Sequence, residues 1–285
     1  MVTGTGSGTG ADGAGEREVS GRWVDFHNHV IPGVDDGARD VAEGVAGVEA
    51  LVAEGVDHVV ASPHVDGSLT HKPEALGRRL RSIDAAFEHL RSAIEERLGA
   101  PILGRGVELK LDGPSVILDD PRLRLAGGRA VLVEFPFMTI PPRSAQALLS
   151  IRRAGYLPVL AHPERYNTLS DGLGSVERWL DAGTILQVNA GSLVGRYGSG
   201  AQRVAHAILA RGWAHAVASD YHSRGSPRLA EARQLVEEWG GSEAAGRLFH
   251  ENPLRLLRGE ECVPVGALGP PRSLGDRLLG LFGLR

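Results

Sequence analysis

The stretch VDFHNHVIPGVDDG, Val24 to Gly37, sets His27 and His29 one residue apart and follows them with Asp35 and Asp36. In a strand, residues i and i+2 project to the same face, roughly 6.5–7 Å apart at Cα. Two imidazoles so placed can reach one ion at about 2.1 Å. They can equally be two hydrogen-bonded histidines near a surface, so the rest of the chain has to decide. It does so by repetition. HVVASPH ends in His64, GVEL carries Glu108, LVEF carries Glu134, LPVLAH ends in His162, TILQVNA carries Asn189, and AHAVASD ends in Asp220 with His222 two residues on. Buried carboxylates without partners are costly, so ligand-type residues at the ends of so many apolar runs are hard to explain as packing.

The set comprises His27, His29, His64, His162 and His222, with Glu108, Glu134 and Asp220 and one of Asp35 or Asp36. No thiolate takes part. There are too many donors for one zinc, and the mixture suits two or three manganese, iron or zinc ions. Carboxylates this close also need cations to stay ionised together. Asp25 shares the face of His27 and His29, and either supports a ligand from behind or is a buried polar residue with backbone partners.

Parallel strands joined by helices would bring these residues to one place. After the first strand, WVDF, a helix is expected from about Asp40, with Val41, Val45, Val48 and Val52 at helical spacing and an Asp40/Glu43 pair at its start. A long helix should begin near Pro73, its apolar face running from Leu76 through Ile94. Further helices are expected over 144–154, 175–182, 202–211, 229–239, 243–250 and 253–257. Seven short apolar strands alternating with helices predict an α/β chain, a closed or nearly closed barrel of seven βα units, with the strand ends meeting on one face.

The chain has 285 residues, 42% of them hydrophobic, enough for a full core. With 31 basic against 35 acidic residues there is no general basic field, so nucleic acid is not an expected partner. Arg78, Arg79 and Arg81 read as a solvated helix face. A lone Cys262 excludes an internal disulfide and fits a reducing, cytoplasmic compartment. No signal peptide or transmembrane run of 18 apolar residues is seen. Residues 1–20 are Gly-, Thr- and Ser-rich and are expected to be a disordered tail. Their near-match to G-x-G-x-x-G follows no strand and so carries no nucleotide reading. Residues 21–260 are expected to form the domain. Residues 261–285 are expected to be a tail with a short amphipathic helix, Leu274, Leu278, Leu281 and Phe282 on one face, able to touch the enzyme, a partner or a membrane surface.

On DFHNHVIPGVDDG, ASPH, GVEL, LVEF, AHPERY, LQVN and ASDYH, in that order from Asp25 to His222, the chain resembles the polymerase and histidinol phosphatase (PHP) superfamily. Within it the chain is similar to the bacterial capsule and exopolysaccharide tyrosine-protein phosphatases, which are manganese-dependent. The resemblance implies a distorted (β/α)7 TIM-like barrel with three ions. It assigns His27, His29, Glu108 and Asp220 to the first, Glu134 and His162 to a second bridged by Glu108, and Asp36, His64 and His222 to the third. Arg165 matches a family arginine at the phosphate. A second arginine should follow the DYH segment, where Arg224 and Arg228 are both candidates. Carboxylates at Asp36 and Glu134 favour the tyrosine-phosphatase branch over small-molecule phosphatases.

The activity so implied is hydrolysis of phosphotyrosine, on a protein such as an autophosphorylating tyrosine kinase that controls polysaccharide export. Clustered ions neutralise phosphoryl charge and lower the pKa of bound water from about 15.7 toward 7. Arg165 would clamp the phosphate. His64 or His222 could protonate the leaving group, although a phenolate of pKa about 10 needs little help. The thiol route is absent, since no arginine follows Cys262 at the Cys-x5-Arg spacing, and no G-x-S-x-G elbow appears. Phe135, Phe137, Met138 or Tyr166 could pack against the tyrosine ring. Apart from Leu111–Arg129 and the loop Phe137–Pro142, no long insertion provides a lid. The competing expectations are a small-molecule phosphatase, such as one acting on histidinol phosphate, and a metal-binding regulator without turnover.

Overall fold

The computed structural model describes residues 23–98, 102–167, 169 and 172–270. The expected N-terminal tail and the expected amphipathic helix with its membrane contact fall outside the described residues. The strands are β1 (Trp23–Asp25), β2 (Val56–Ala61), β3 (His64–Asp66), β4 (Ile102–Arg105), β5 (Glu108–Lys110), β6 (Ala130–Glu134), β7 (Leu157–Ala161), β8 (Ile185–Asn189) and β9 (Ala216–Ala218). The helices are α1 (Val41–Ala53), α2 (Pro73–Leu98), α3 (Ser144–Arg153), α4 (Gly174–Asp181), α5 (Ala190–Leu193), α6 (Gly198–Ala210), α7 (Leu229–Gly246) and α8 (Asn252–Leu257). The fold is mixed α/β with two parallel sheets, ordered β1-β2-β4 and β3-β5-β6-β7-β8-β9. Among the described residues no helix is long and apolar enough to cross a membrane.

Two of the seven expected strands are each broken in two. Ser62–Pro63 separates β2 from β3, and Gly106–Val107 separates β4 from β5. Pro63 has no N–H for a ladder, and a Cβ at Gly106 would lie 2.9 Å from Leu125 Cα. The breaks lie side by side. Gly106 N–H donates to Ala61 O at 2.8 Å and Glu108 N–H to Pro63 O at 3.0 Å, so hydrogen bonding continues across them. At the other side, β9 returns to the first strand. Asp220 N–H donates to His27 O at 2.7 Å, His29 N–H to Tyr221 O at 2.8 Å, and Asn28 and Tyr221 form a parallel bridge. Buried Asp25 reinforces this seam by accepting from Ser219 N–H at 2.8 Å and Ser219 Oγ at 2.7 Å. It is therefore a buried polar residue with partners of its own in the strand seam.

Helix starts follow local chemistry. Asp40 caps α1 by accepting from Glu43 N–H at 2.9 Å, while Glu43 accepts from Arg39 N–H. Pro73 opens α2, where a missing N–H costs nothing. The helices expected over 229–239 and 243–250 run on as α7, kinked at Gly241 with φ +78°, and a π-helical turn over Arg247–Glu251. Residues expected in the C-terminal tail pack on the domain instead: Val263 N–H donates to Asn252 Oδ1 at 2.8 Å and Leu268 is buried.

The core has two faces. Val131 and Val133 of β6 pack with Leu148 and Ile151 of α3 in the layer between strands and helices. Ala130 and Leu132 of the same strand join Val60, Val159, Ala216 and Ala218 of other strands and Phe26, which follows β1, in one buried cluster. This alternation aims later residues of the same parity inward at the strand ends. Glu134 continues Ala130 and Leu132, Gln187 and Asn189 continue Ile185, and Asp220 continues Ala216 and Ala218.

A candidate metal centre at the strand ends

His162 has the wrong parity for this face, because Ala161 is the inward residue of β7 and Leu160 packs outward. Its backbone corrects that. His162 adopts a left-handed conformation, φ 33°, at the turn into Pro163, and Asp220 does likewise at φ 49°. Such strain in non-glycine residues persists only where the surroundings hold it, and it concentrates at functional sites.

The nine residues named from the sequence come together. Ligand-type atoms lie within 4.8 Å of one another in four groups: His27, His29 and Glu108; His27, His162 and Asp220; His64, Glu108 and Glu134; and His29, Asp36, His64 and His222. The last contains Asp36, His64 and His222, expected at a third ion, together with His29, expected at the first. The division of the others differs from the expectation, since His162 groups with His27 and Asp220, and Glu134 with His64 and Glu108. Glu108 is the hub. Its Oε2 lies 3.3 Å from His27 Nε2, 3.5 Å from His29 Nε2 and 3.0 Å from His64 Nδ1, and its Oε1 lies 3.1 Å from His162 Nε2.

The donor chemistry tests whether cations fit. Gln187 Nε2 donates to Val188 O, which turns Gln187 Oε1 toward His27 Nδ1 at 2.8 Å. His27 Nδ1 therefore carries the proton, and Nε2 keeps a lone pair. Asp35 Oδ2 accepts from His29 Nδ1–H at 2.8 Å, and the Asp220 carbonyl accepts from His222 Nδ1–H at 3.0 Å. Lone pairs thus face carboxylate oxygens, His27 Nε2 lying 3.3 Å from both Glu108 Oε2 and Asp220 Oδ1. Nε2 of His27 and His29, Nδ1 of His64 and Oε2 of Glu108 are buried without hydrogen-bond partners. Acceptors that converge on acceptors in a buried site need positive charge between them, and an all-N/O set suits divalent ions of borderline to hard character.

Protonation shows the same demand. Burial alone would lower the His27 pKa, but Glu108 and Asp220 outweigh it and raise it to about 9. Burial opposes ionisation of Glu108, yet the charge of His27 and the hydrogen bond from His162 hold it well below the usual carboxylate range. Glu134 goes the other way, raised to about 7 by burial and then by Glu108. Burial and His29, whose ring stacks on it at 4.0 Å, push His222 down.

Beside this centre a cleft of about 270 Å³ is lined by Arg165, Arg196, Tyr197, Asp220, His222 and Arg224. Arg165 pairs through Nη1 with Asp220 Oδ2, and its guanidinium lies 4.3 Å over the Tyr197 ring. Arg224 lines the cleft and donates to Asp36 O at 2.9 Å. Arg228 does not reach it. Its side chain pairs with Glu231 and its N–H with Glu54, because it sits in a left-handed turn heading α7. Of the two arginines after the DYH segment, only Arg224 faces the cleft.

Of the pair Asp35 and Asp36, Asp36 falls in the cluster, while Asp35 orients His29 and also accepts from the N–H groups of His64 at 3.1 Å and Gly37 at 3.0 Å. Other contributors were not legible in the sequence. Gln187 shares the parity of Asn189, whose Nδ2 donates to Asp220 Oδ2 at 3.0 Å; that parity was the available signal. Arg196 and Tyr197 come from the turn between α5 and α6 and carry no periodic signal. Arg79 departs from the expected solvated face: its Nη2 donates to Val34 O at 2.6 Å and His64 O at 2.8 Å, tying α2 to two ligand-bearing segments. Phe135 and Tyr166 are core rather than rim. Both are buried, and Tyr166 Oη accepts from Phe135 N–H at 2.9 Å.

A family model described as "Capsular polysaccharide synthesis, CpsB/CapC" matches residues 23–258. The chain is 29% identical over 264 residues to the tyrosine-protein phosphatase YwqE of Bacillus subtilis, covering 91% of this chain and 100% of that one. It is 26% identical over 243 residues to the tyrosine-protein phosphatase CpsB of Streptococcus pneumoniae, covering 82% and 98%. A crystal structure from work on YwqE and CpsB, described as unique metal-dependent tyrosine phosphatases, superposes with a TM-score of 0.71 at 26% identity, covering 88% of this chain and 99% of that one. A phosphotriesterase homology protein from Escherichia coli, with phosphate in its active site, shares the fold at a TM-score of 0.50 and 16% identity, covering 83% and 98%. The match runs from β1 through α8, and the chain belongs to the CpsB/CapC family.

Proposed function

We propose that this protein is a metal-dependent phosphatase that hydrolyses phosphotyrosine in proteins. The observation that carries the reading is that Asp220 and His222 belong at once to the imidazole–carboxylate cluster and to the arginine-lined cleft. A phosphate held by Arg165 would therefore lie against the metal ligands. The scaffold we propose is a distorted (β/α)7 barrel spanning about residues 21–260. Its support is the bonding across the paired strand breaks and the return of β9 to β1.

Manganese, as three ions, is the proposed cofactor. His27, His29, Glu108, Glu134, His162 and Asp220 would hold two of them between them, with Glu108 common to both, and Asp36, His64 and His222 would hold the third. Bound there, divalent ions supply charge neutralisation at phosphoryl oxygens and a lowered pKa for water. The protein's own groups do the rest. Arg165, fixed by Asp220 and Tyr197, orients the phosphate, and Arg224 adds positive charge at the cleft mouth. His64 and His222, beside Asp36, serve as ligands of the third ion, and a phenolate leaving group of pKa about 10 needs little help from a proton donor. The substrate we propose is an autophosphorylating tyrosine kinase that controls polysaccharide export, met in the cytoplasm. The family description and the relatives' names support that choice.

The test compares kcat/KM on a phosphotyrosine peptide, a phosphoserine peptide and histidinol phosphate with manganese present. Phosphotyrosine is expected to lead. A hundredfold advantage for histidinol phosphate, equal to ~2.7 kcal/mol of transition-state preference, would replace this reading with a small-molecule phosphatase.

A further inference from the structure

The cleft beside Arg165, about 270 Å³, is small for a ligand larger than a phosphate and part of a ring. A protein substrate must continue somewhere else. Where β5 and β6 end, a second surface begins. Leu111 N–H donates to Glu134 O at 2.9 Å, and both Leu111 and Phe135, the residue after Glu134, line a groove of about 620 Å³. Pro114, Pro136, Pro141 and Pro142 form much of its wall. It shares Leu111, Gly113, Pro114, Ala147 and Ser150 with a further pocket of about 320 Å³ that runs on to Ile117 and Tyr156. The two make one largely apolar trough between the segment after β5 and α3.

One exposed apolar side chain, Ile117, lines the trough, and another, Phe137, follows Pro136 of its wall. Among the described residues three large hydrophobics are exposed, and two belong here: Phe137 at 93% and Ile117 at 45%. Phe137 stands three residues beyond Glu134, so its Cα lies within about 11 Å of that of Glu134. Its φ of 56° and that of Met138, 51°, are costly for bulky side chains. The turn thus leaves the Phe137 ring in water shortly after Glu134, while Met138 beside it packs against the core.

We propose that this trough binds the extended chain flanking the phosphotyrosine of a protein substrate and selects apolar residues there. The occupant follows from continuity with the candidate metal centre through Glu134 and Phe135. It follows also from the walls: prolines offer no N–H for strand addition, so recognition falls to buried side chains and not to main-chain pairing. The inference rests on the phosphotyrosine reading and names where the rest of that substrate lies.

The experiment uses the manganese-loaded protein, a phosphotyrosine peptide with apolar flanks, its unphosphorylated form, and free phosphotyrosine. Two variants are compared with wild type: Ile117→Ser, which removes an exposed apolar side chain from the wall, and Ser150→Arg, which fills the trough from an exposed helix position. Each is expected to lower kcat/KM on the peptide by about tenfold while free phosphotyrosine stays within about twofold. Fluorescence anisotropy should show a matching loss of affinity for the unphosphorylated peptide. That binding measurement stands even if wild type turns over no phosphotyrosine, a result that overturns the functional reading alone. Equal effects on peptide and free phosphotyrosine, or no effect on either, overturn the trough. A loss of self-association by Ser150→Arg with peptide binding intact also overturns it and makes the surface an interface between copies.

Discussion

Glu108 shows how the centre works at the scale of one residue. Four imidazoles converge on its two oxygens, so its charge organises the cluster. The neighbouring roles separate by experiment. Asp220→Ala removes a carboxylate from the cluster and leaves His27 and Arg165 without their partner, so both metal content and turnover should fall. Arg165→Ala should keep the metal content of wild type and lower kcat/KM by about 10–100-fold, the worth of a charge-assisted clamp. Asp35→Asn should keep the fold and weaken metal affinity by about 10–100-fold, because Asp35 sets the His29 tautomer from behind. Elemental analysis beside steady-state kinetics reads all three. Metal loss in Arg165→Ala would mean that the arginine is part of the metal scaffold.

At the scale of elements, the strand ends must stay in register for these residues to meet, and His215 is one of the stitches. Its Nδ1 accepts from Leu186 N–H at 3.1 Å, its N–H donates to Leu186 O at 3.1 Å, and its carbonyl accepts from Asn252 Nδ2 at 2.8 Å. This joins β8 to the start of β9 and to α8. Burial lowers the His215 pKa to about 4. Between pH 6.5 and 4 the unfolded chain takes up a proton that the folded one refuses, so this group's contribution is whole above pH 6.5 and falls as the pH drops toward 4. The loss is on the order of 3 kcal/mol. Urea melts of His215→Gln should show a flatter dependence over that window than wild type; an identical slope would contradict the assignment. Most of this level was legible in the sequence. Apolar runs located the strands, and their last inward residues located Glu134, Asn189 and Asp220. What escaped has physical reasons. The breaks at Pro63 and Gly106 depend on neighbours far along the chain. His162 reaches the site through a left-handed turn that parity cannot foresee. Arg79 satisfies two carbonyls that no periodic pattern announces.

At the scale of the whole molecule, a shell of helices and a strand-faced core hold a buried polar cluster open at one end, and the net charge of −4 makes no broad cationic surface. On the proposed reading, specificity is set by the centre, with its donors for divalent ions and its arginine-lined cleft, and by the trough that would take the flanking chain. The most direct test is to strip the protein with chelator, confirm by elemental analysis that it is metal-free, and add manganese back stepwise while following hydrolysis of a phosphotyrosine peptide. The account predicts no turnover in the stripped protein and a rate that rises with bound manganese until the site is filled. Full turnover in protein shown to be metal-free would contradict it.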